Sequence, residues 1–376
     1  MGFNRVIVQI WLCLAAIWVG NSALAAQVVV GQVAPLTGID ASQGRGYSAG
    51  MQLYFNAVNK AGGVNGHTFA LVRRDDAGQP EETLNQTLAM LTKSKPIILA
   101  GYFGSRNIGQ VIGTGLLERE RISLIGYRTP ELTQEATNLY NVRATLRDEL
   151  VRITEHLATV GITKLGLFYE SGAGAPALLA AAQEATANSK AKIVVSSVYE
   201  SGTGRVSSAA DAMRTAAPQA IIMVASGGAA AAFIEQYRSA GGTAQIFASS
   251  VADIEHMAKR LSDEQMQGIA IAQVTPNPYK ITARLSKELH EAIAKAGQPQ
   301  VPISYAMMEG FITAKVIVEA ARRQGSRVTR EGFTSTLENF GAFDLGGYVV
   351  AFRPGTRNGS RFVEMTIISG AGKIRQ

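Results

Sequence analysis

Residues 96–133 read PIILAGYFGSRNIGQVIGTGLLERERISLIGYRTPELT, and this stretch sets the architecture. An apolar run, Pro96 to Ala100, breaks at Gly101-Tyr102-Phe103-Gly104-Ser105. A segment of helical character follows, Arg106 to Glu120, and a second apolar run, Ile122 to Ile125, stops at Gly126-Tyr127-Arg128-Thr129-Pro130. Short apolar runs alternating with helices of this length specify parallel strands joined by crossovers, an α/β fold. In such sheets ligands collect outside the carboxyl ends of the strands, where loops meet helix N-termini. Those ends carry Tyr102, Ser105, Tyr127, Arg128 and Thr129. Two readings of Ser105 stand side by side: a hydroxyl that joins backbone N–H groups to hold an anion, and a plain helix cap.

The same rhythm runs outward in both directions. Gln27 to Ala34 predicts a strand buried on both faces, residues 39–46 a polar, glycine-rich loop, and Tyr47 to Ala61 a helix closed by Gly62-Gly63. Phe69 to Val72 continues as a strand ending at Arg73-Arg74-Asp75-Asp76, which reads as a solvated charge cluster, and Pro80 to Lys93 as a helix. Beyond residue 148 strands recur at Lys164 to Tyr169, Ile193 to Tyr199, Ala220 to Ala225 and Gln245 to Ala248, each ending in small or polar residues. The two halves therefore repeat one architecture. No low-complexity linker divides them, so the boundary is expected to consist of short crossings.

The N-terminus carries one charge, Arg5, then an apolar core from Val6 to Val19 and Ala23-Leu24-Ala25. That tripartite pattern predicts a secretory signal over residues 1–25, hence export to the periplasm. The signal contains the one cysteine, Cys13, and both tryptophans, so the mature chain is expected to be stabilised by core burial without disulfides. The formal charge of +7 is spread without blocks of like sign, which argues against a nucleic-acid footprint. Gly44-Arg45-Gly46-Tyr47-Ser48-Ala49-Gly50 has the wrong spacing and context for a dinucleotide fingerprint. His67, His156, His256 and His290 stand at no metal-ligand spacing. Neither a nucleophile elbow nor a Walker loop is present, so no enzyme activity, metal or cofactor is expected.

Three passages carry a resemblance. Ala34-Pro35-Leu36-Thr37-Gly38, then Gly44, then a helix ending Asn59-Lys60-Ala61-Gly62-Gly63-Val64-Asn65-Gly66 is similar to the opening of type I periplasmic solute-binding proteins of the branched-chain amino acid (Leu/Ile/Val-binding) ABC transporter family. Asp75-Asp76 ahead of a Pro-Glu helix, and Thr129-Pro130-Glu131-Leu132-Thr133, resemble the same family. The resemblance implies two Rossmann-like lobes with parallel-sheet cores, joined by three hinge crossings. Lobe 1 would take residues 26–143 and 273–359, and lobe 2 residues 144–272 and 360–376. It further implies a monomer that closes on a small organic solute, amino acid-like or a carboxylic acid, and delivers it to an ABC permease. A ligand sensor that presents its closed state to a signalling receptor is the alternative.

Carried over residue by residue, the resemblance places ligand contacts at Gln43, Gly104, Ser105 and the Tyr127-Arg128-Thr129 turn, with Arg128 and Thr129 competing for one position. In lobe 2 it points to Ala173, Ser226 and Ser249-Ser250. Where the family commonly holds the substrate ammonium with an acid, this chain has Ser249-Ser250, and Arg128 adds a cation beside Ser105. These departures favour an anionic ligand without an α-amino group, because an unpaired buried cation costs several kcal/mol. Glu170 is the residue that could reverse this expectation, either as a substitute acid or as a solvated loop carboxylate.

Overall fold

The computed structural model describes residues 26–131, 136–187, 190–297, 301–369 and 374–375, the last pair as backbone. The signal expected over residues 1–25 and the Leu132-Thr133 end of the second loop lie outside them.

The first half alternates β1 (Ala26–Ala34), α1 (Ala41–Lys60), β2 (His67–Asp75), α2 (Pro80–Lys93), β3 (Ile98–Phe103), α3 (Ser105–Gly113), α4 (Leu116–Arg119), β4 (Leu124–Arg128) and β5 (Leu139–Tyr140). These strands form one parallel sheet in the order β2-β1-β3-β4-β5. β3 and β4 are buried along their whole length, β3 as its unbroken apolar run requires.

The second half contributes α5 (Leu146–Thr159), β6 (Lys164–Ser171), α6 (Ala175–Ala187), β7 (Lys192–Glu200), α7 (Ser207–Ala216), β8 (Ala220–Val224), α8 (Gly227–Ser239), β9 (Gln245–Ala248), α9 (Ile254–Arg260), α10 (Asp263–Met266) and β10 (Ala270–Gln273). The chain then returns to the first sheet through α11 (Arg284–Ala296), α12 (Tyr305–Gln324), α13 (Arg330–Glu338) and the hairpin of β11 (Gly341–Asp344) and β12 (Val349–Phe352). Leu285, Met308, Phe311 and Phe333 from this return join Val28, Ile98 and Phe55 in one core. Finally β13 (Glu364–Ile368) and β14 (Ile374–Arg375) add antiparallel edges to the second sheet, whose order is β14-β13-β10-β9-β8-β6-β7.

Three chain segments therefore run between the sheets: residues 141–145, 274–283 and 353–363. They are tied to one another. The Tyr348 hydroxyl lies 2.9 Å from the Val142 carbonyl and 3.1 Å from that of Val274. Asn141 and the third crossing exchange backbone bonds, Asn141 N–H to Arg357 O at 2.8 Å and Gly359 N–H to Asn141 O at 2.7 Å.

One local expectation fails. The glycine-rich stretch from Ala41 to Gly46 is the first part of α1 and not a loop. Each glycine inside a helix costs roughly 1 kcal/mol relative to alanine, so the local signal opposes a helix here. Packing overrides it. A Cβ on Gly44 would overlap the Pro35 carbonyl, one on Gly50 the Met307 carbonyl, and one on Gly310 the Tyr47 carbonyl. These glycines let α1 lie directly on α12 and hold the residues that precede it, Asp40 among them, at the cavity described next.

Candidate functional site

The carboxyl ends of the two parallel sheets face each other across a cavity of about 310 Å³. From the first sheet it is walled by the exits of β1, β3 and β4, and from the second by those of β6, β7 and β8, as expected for ligand sites in open α/β sheets. The lobes also touch around its rim. Ser42 Oγ donates to Asp253 Oδ2 at 2.8 Å, and the Gly174 N–H donates to Glu131 Oε2 at 3.2 Å.

On the first wall α3 begins at Gly104, whose φ of +88° favours glycine, and no side chain caps this helix end. Ser105 is the first helical residue, and its hydroxyl lies 2.6 Å from Thr129 Oγ1. Ser105 is therefore not an N-cap. Asn107 fixes the same turn from behind by donating to Thr83 Oγ1 at 2.7 Å, and Thr83 donates in turn to the buried Asp76 at 2.7 Å. Uncapped helix N–H groups with two hydroxyls at the mouth suit a carboxylate.

The facing wall is acidic. Glu170, near the end of β6, is 3% exposed and accepts hydrogen bonds from Tyr199 Oη at 2.9 Å and Ser201 Oγ at 2.8 Å. The Tyr199 hydroxyl itself accepts from the Ser226 N–H at 3.1 Å, so the carboxylate is held by an oriented chain of donors. Glu170 is a buried cavity acid and not a solvated loop residue. Asp40, at the N-cap position of α1, also lines the cavity. Its side chain makes no cap hydrogen bond, and its Oδ1 is buried without a partner. Burial first, and then the negative charges of Asp253 and Glu170, push its carboxyl up to about 6.

Arg128 lines the cavity but is not the free cation expected from the sequence. Its guanidinium sits 2.5 Å from Glu309 Oε1 on α12 and donates to the Ser250 carbonyl at 2.9 Å. Glu309 is also 3.5 Å from Arg143, which pairs with Glu149 at 2.9 Å, and Glu149 accepts from the Ser250 N–H at 2.7 Å. Two arginines and two glutamates thus neutralise each other in a buried network joining the lobes behind the cavity. The premise for an anionic ligand fails with it.

Of the sequence-derived positions, Gln43, Gly104, Ser105, Arg128, Thr129, Glu170 and Ser226 line the cavity. Five do not. Tyr102 is in the core with its hydroxyl 3.0 Å from Thr87 Oγ1, and Tyr127 borders a separate small recess beside Arg143. Strand alternation explains both, since Phe103 and Arg128, one residue on, take the cavity face. Ala173 is exposed on the loop before α6. Ser249 is buried with its hydroxyl unpartnered, and Ser250 is consumed by the ion network. Tyr102→Phe accordingly should cost about 0.5–1.5 kcal/mol in urea unfolding and leave ligand affinity unchanged.

Of the pair read as a solvated charge cluster, Asp76 is buried and accepts from Thr83 Oγ1, while Asp75 stays partly exposed. Asp75 holds the β1 exit loop, accepting from the Leu36 N–H at 2.8 Å and Thr37 Oγ1 at 2.6 Å. Sequence reasoning missed Asp40, Asn107 and the Glu200–Thr203 loop of the cavity wall.

Residues 27–370 match the family described as "Periplasmic binding protein". The chain belongs to this family. A substrate-binding periplasmic protein from Ralstonia solanacearum superposes with a TM-score of 0.86 at 32% identity, covering 93% of this chain and 99% of that one. A branched-chain amino acid ABC transporter protein from Thermus thermophilus with bound valine superposes with a TM-score of 0.79 over 93% and 94% of the two chains, but at 16% identity it shows the shared fold alone. An "Amino acid binding protein" from Pseudomonas aeruginosa is 36% identical over 80 residues, 21% of each chain. The matched stretches of the curated relatives span about a fifth of their length (21% and 17%). The α/β fold with parallel-sheet cores is shared with these structural neighbours.

Proposed function

We propose that this periplasmic binding protein is exported and serves as the substrate-binding component of an ABC importer, closing its lobes on an amino acid-like solute. Lobe 1 comprises residues 26–143 and 273–359, and lobe 2 residues 144–272 and 360–376. The observation that carries the ligand class is the buried Glu170 carboxylate opposite the uncapped N-terminus of α3. A zwitterion matches that polarity: its carboxylate at the helix N–H groups with Ser105 and Thr129, its ammonium at Glu170. Gln43, Gly104, Arg128 and Ser226 complete the ligand-facing set. Closure of two lobes about a hinge presents one conformation to a permease, and the ligand stabilises it by its extra contacts there.

Calorimetry tests the assignment with leucine, phenylalanine and lysine, each against the same acid lacking its α-amino group. The amino acids should bind at least tenfold more tightly, because their loss leaves Glu170 buried without a cation. Equal or tighter binding of the deaminated acids would overturn it.

A further inference from the structure

The cavity carries one more carboxylate than an ordinary amino acid can satisfy. Asp40 and Glu170 both line it, from opposite lobes, and neither pairs with a guanidinium or ammonium group among the described residues. Arg128 faces Asp40 but is neutralised by Glu309 behind it. Arg106 is exposed at the mouth, and Glu200 is ion-paired with Arg205 outside. The remaining groups around Asp40 do not supply a cation: Asp253 accepts the Ser42 hydroxyl, and the Gly228 backbone N–H bonds Asp40 itself.

Asp40 also lacks the role its position suggests. An aspartate at an N-cap ordinarily accepts a backbone N–H of the first turn, a contact worth about 1 kcal/mol. Here that bond is absent, and Oδ1 is buried without a partner on a residue that lines the cavity. A zwitterion brings one ammonium, which Glu170 takes, and one carboxylate, which α3 takes. That would leave Asp40 charged and unpaired in a closed cavity, an arrangement that buried charges avoid.

We infer that the solute carries a second cationic group, as a basic amino acid does, and that Asp40 and Glu170 together select it. This rests on the amino acid assignment above. The cavity walls agree with a long polar chain: Gln79 and Asn107 on one side and Ser201 and Thr203 on the other extend it to the exits of the edge strands β2 and β7. Capture of the dication–monoanion also requires Asp40 to be ionised. Since its carboxyl is pushed up to about 6, affinity for a basic amino acid should rise as pH increases through that value.

The test is calorimetry at pH 8 with arginine and lysine against leucine and glutamine, on the full chain. At least one basic amino acid should bind ten times more tightly than either neutral one. Asp40→Asn should narrow that ratio below threefold, and the wild-type affinity for the basic ligand should fall at least fivefold from pH 8 to pH 5. The pH series needs no variant, so a poorly folded Asp40→Asn would not leave the inference untested. Leucine or glutamine binding as tightly as arginine and lysine would overturn this inference alone. If no amino acid of either class binds, the amino acid assignment falls with it.

Discussion

Glu309→Ala should destabilise the protein by about 3–5 kcal/mol, because it removes the shared carboxylate from two guanidiniums that are nearly inaccessible to water. Arg128 would keep only the Ser250 carbonyl, and Arg143 only Glu149 and Ser250. Stranding a buried charge costs more than the ion pair itself contributes, since the attraction within the pair largely offsets its own desolvation. A double variant therefore provides the control. Glu309→Ala combined with Arg128→Met should recover part of the loss, as the second change withdraws one of the stranded cations. The readout is the urea midpoint at unchanged slope. A loss below 1 kcal/mol in the single variant would mean that water already solvates this network.

Glu170→Gln should have the largest effect on binding with little effect on folding. The amide keeps the shape of the carboxylate and can still accept from Tyr199 or Ser201, so the oriented donors remain engaged. What disappears is the negative charge facing the ligand ammonium. Truncating one partner of a buried, hydrogen-bonded charge pair costs about 2–5 kcal/mol, roughly 30-fold or more in affinity. Calorimetry with the best amino acid ligand, alongside the melting temperature of the unliganded variant, separates the two effects. Unchanged affinity would place the ammonium elsewhere.

The two lobes were legible because parallel strands buried on both faces leave long apolar runs, and β3 shows this over a handful of residues. The start of α1 was not. Gly44 and Gly46 read locally as a loop, and it takes close approach to the Pro35 carbonyl at the one and to α12, about 260 residues away, at the other to make them part of a helix. Strand exits located the cavity, but not which of two adjacent residues faces it: Tyr102 and Tyr127 gave way to Phe103 and Arg128. The most consequential misreading was electrostatic. Arg128 is separated from Glu309 by 181 positions, so its neutralisation leaves no local trace. A partial signal existed at the other end. Glu309 stands in the run Met307-Met308-Glu309-Gly310-Phe311-Ile312, and a single acid in so apolar a run points to a buried partner. Asp40 offered no comparable sign, since it fell within residues 39–46, which read as a polar loop where an aspartate is ordinary.

Native mass spectrometry of the protein purified without refolding tests the central claim most directly, that a small ammonium-bearing solute is enclosed between the lobes at Glu170. The account predicts a one-to-one adduct whose mass contains at least one amine nitrogen and one carboxylate, retained by the wild type and absent from Glu170→Gln. An adduct that is a nitrogen-free carboxylic acid, or one held equally by the Glu170→Gln variant, would contradict it.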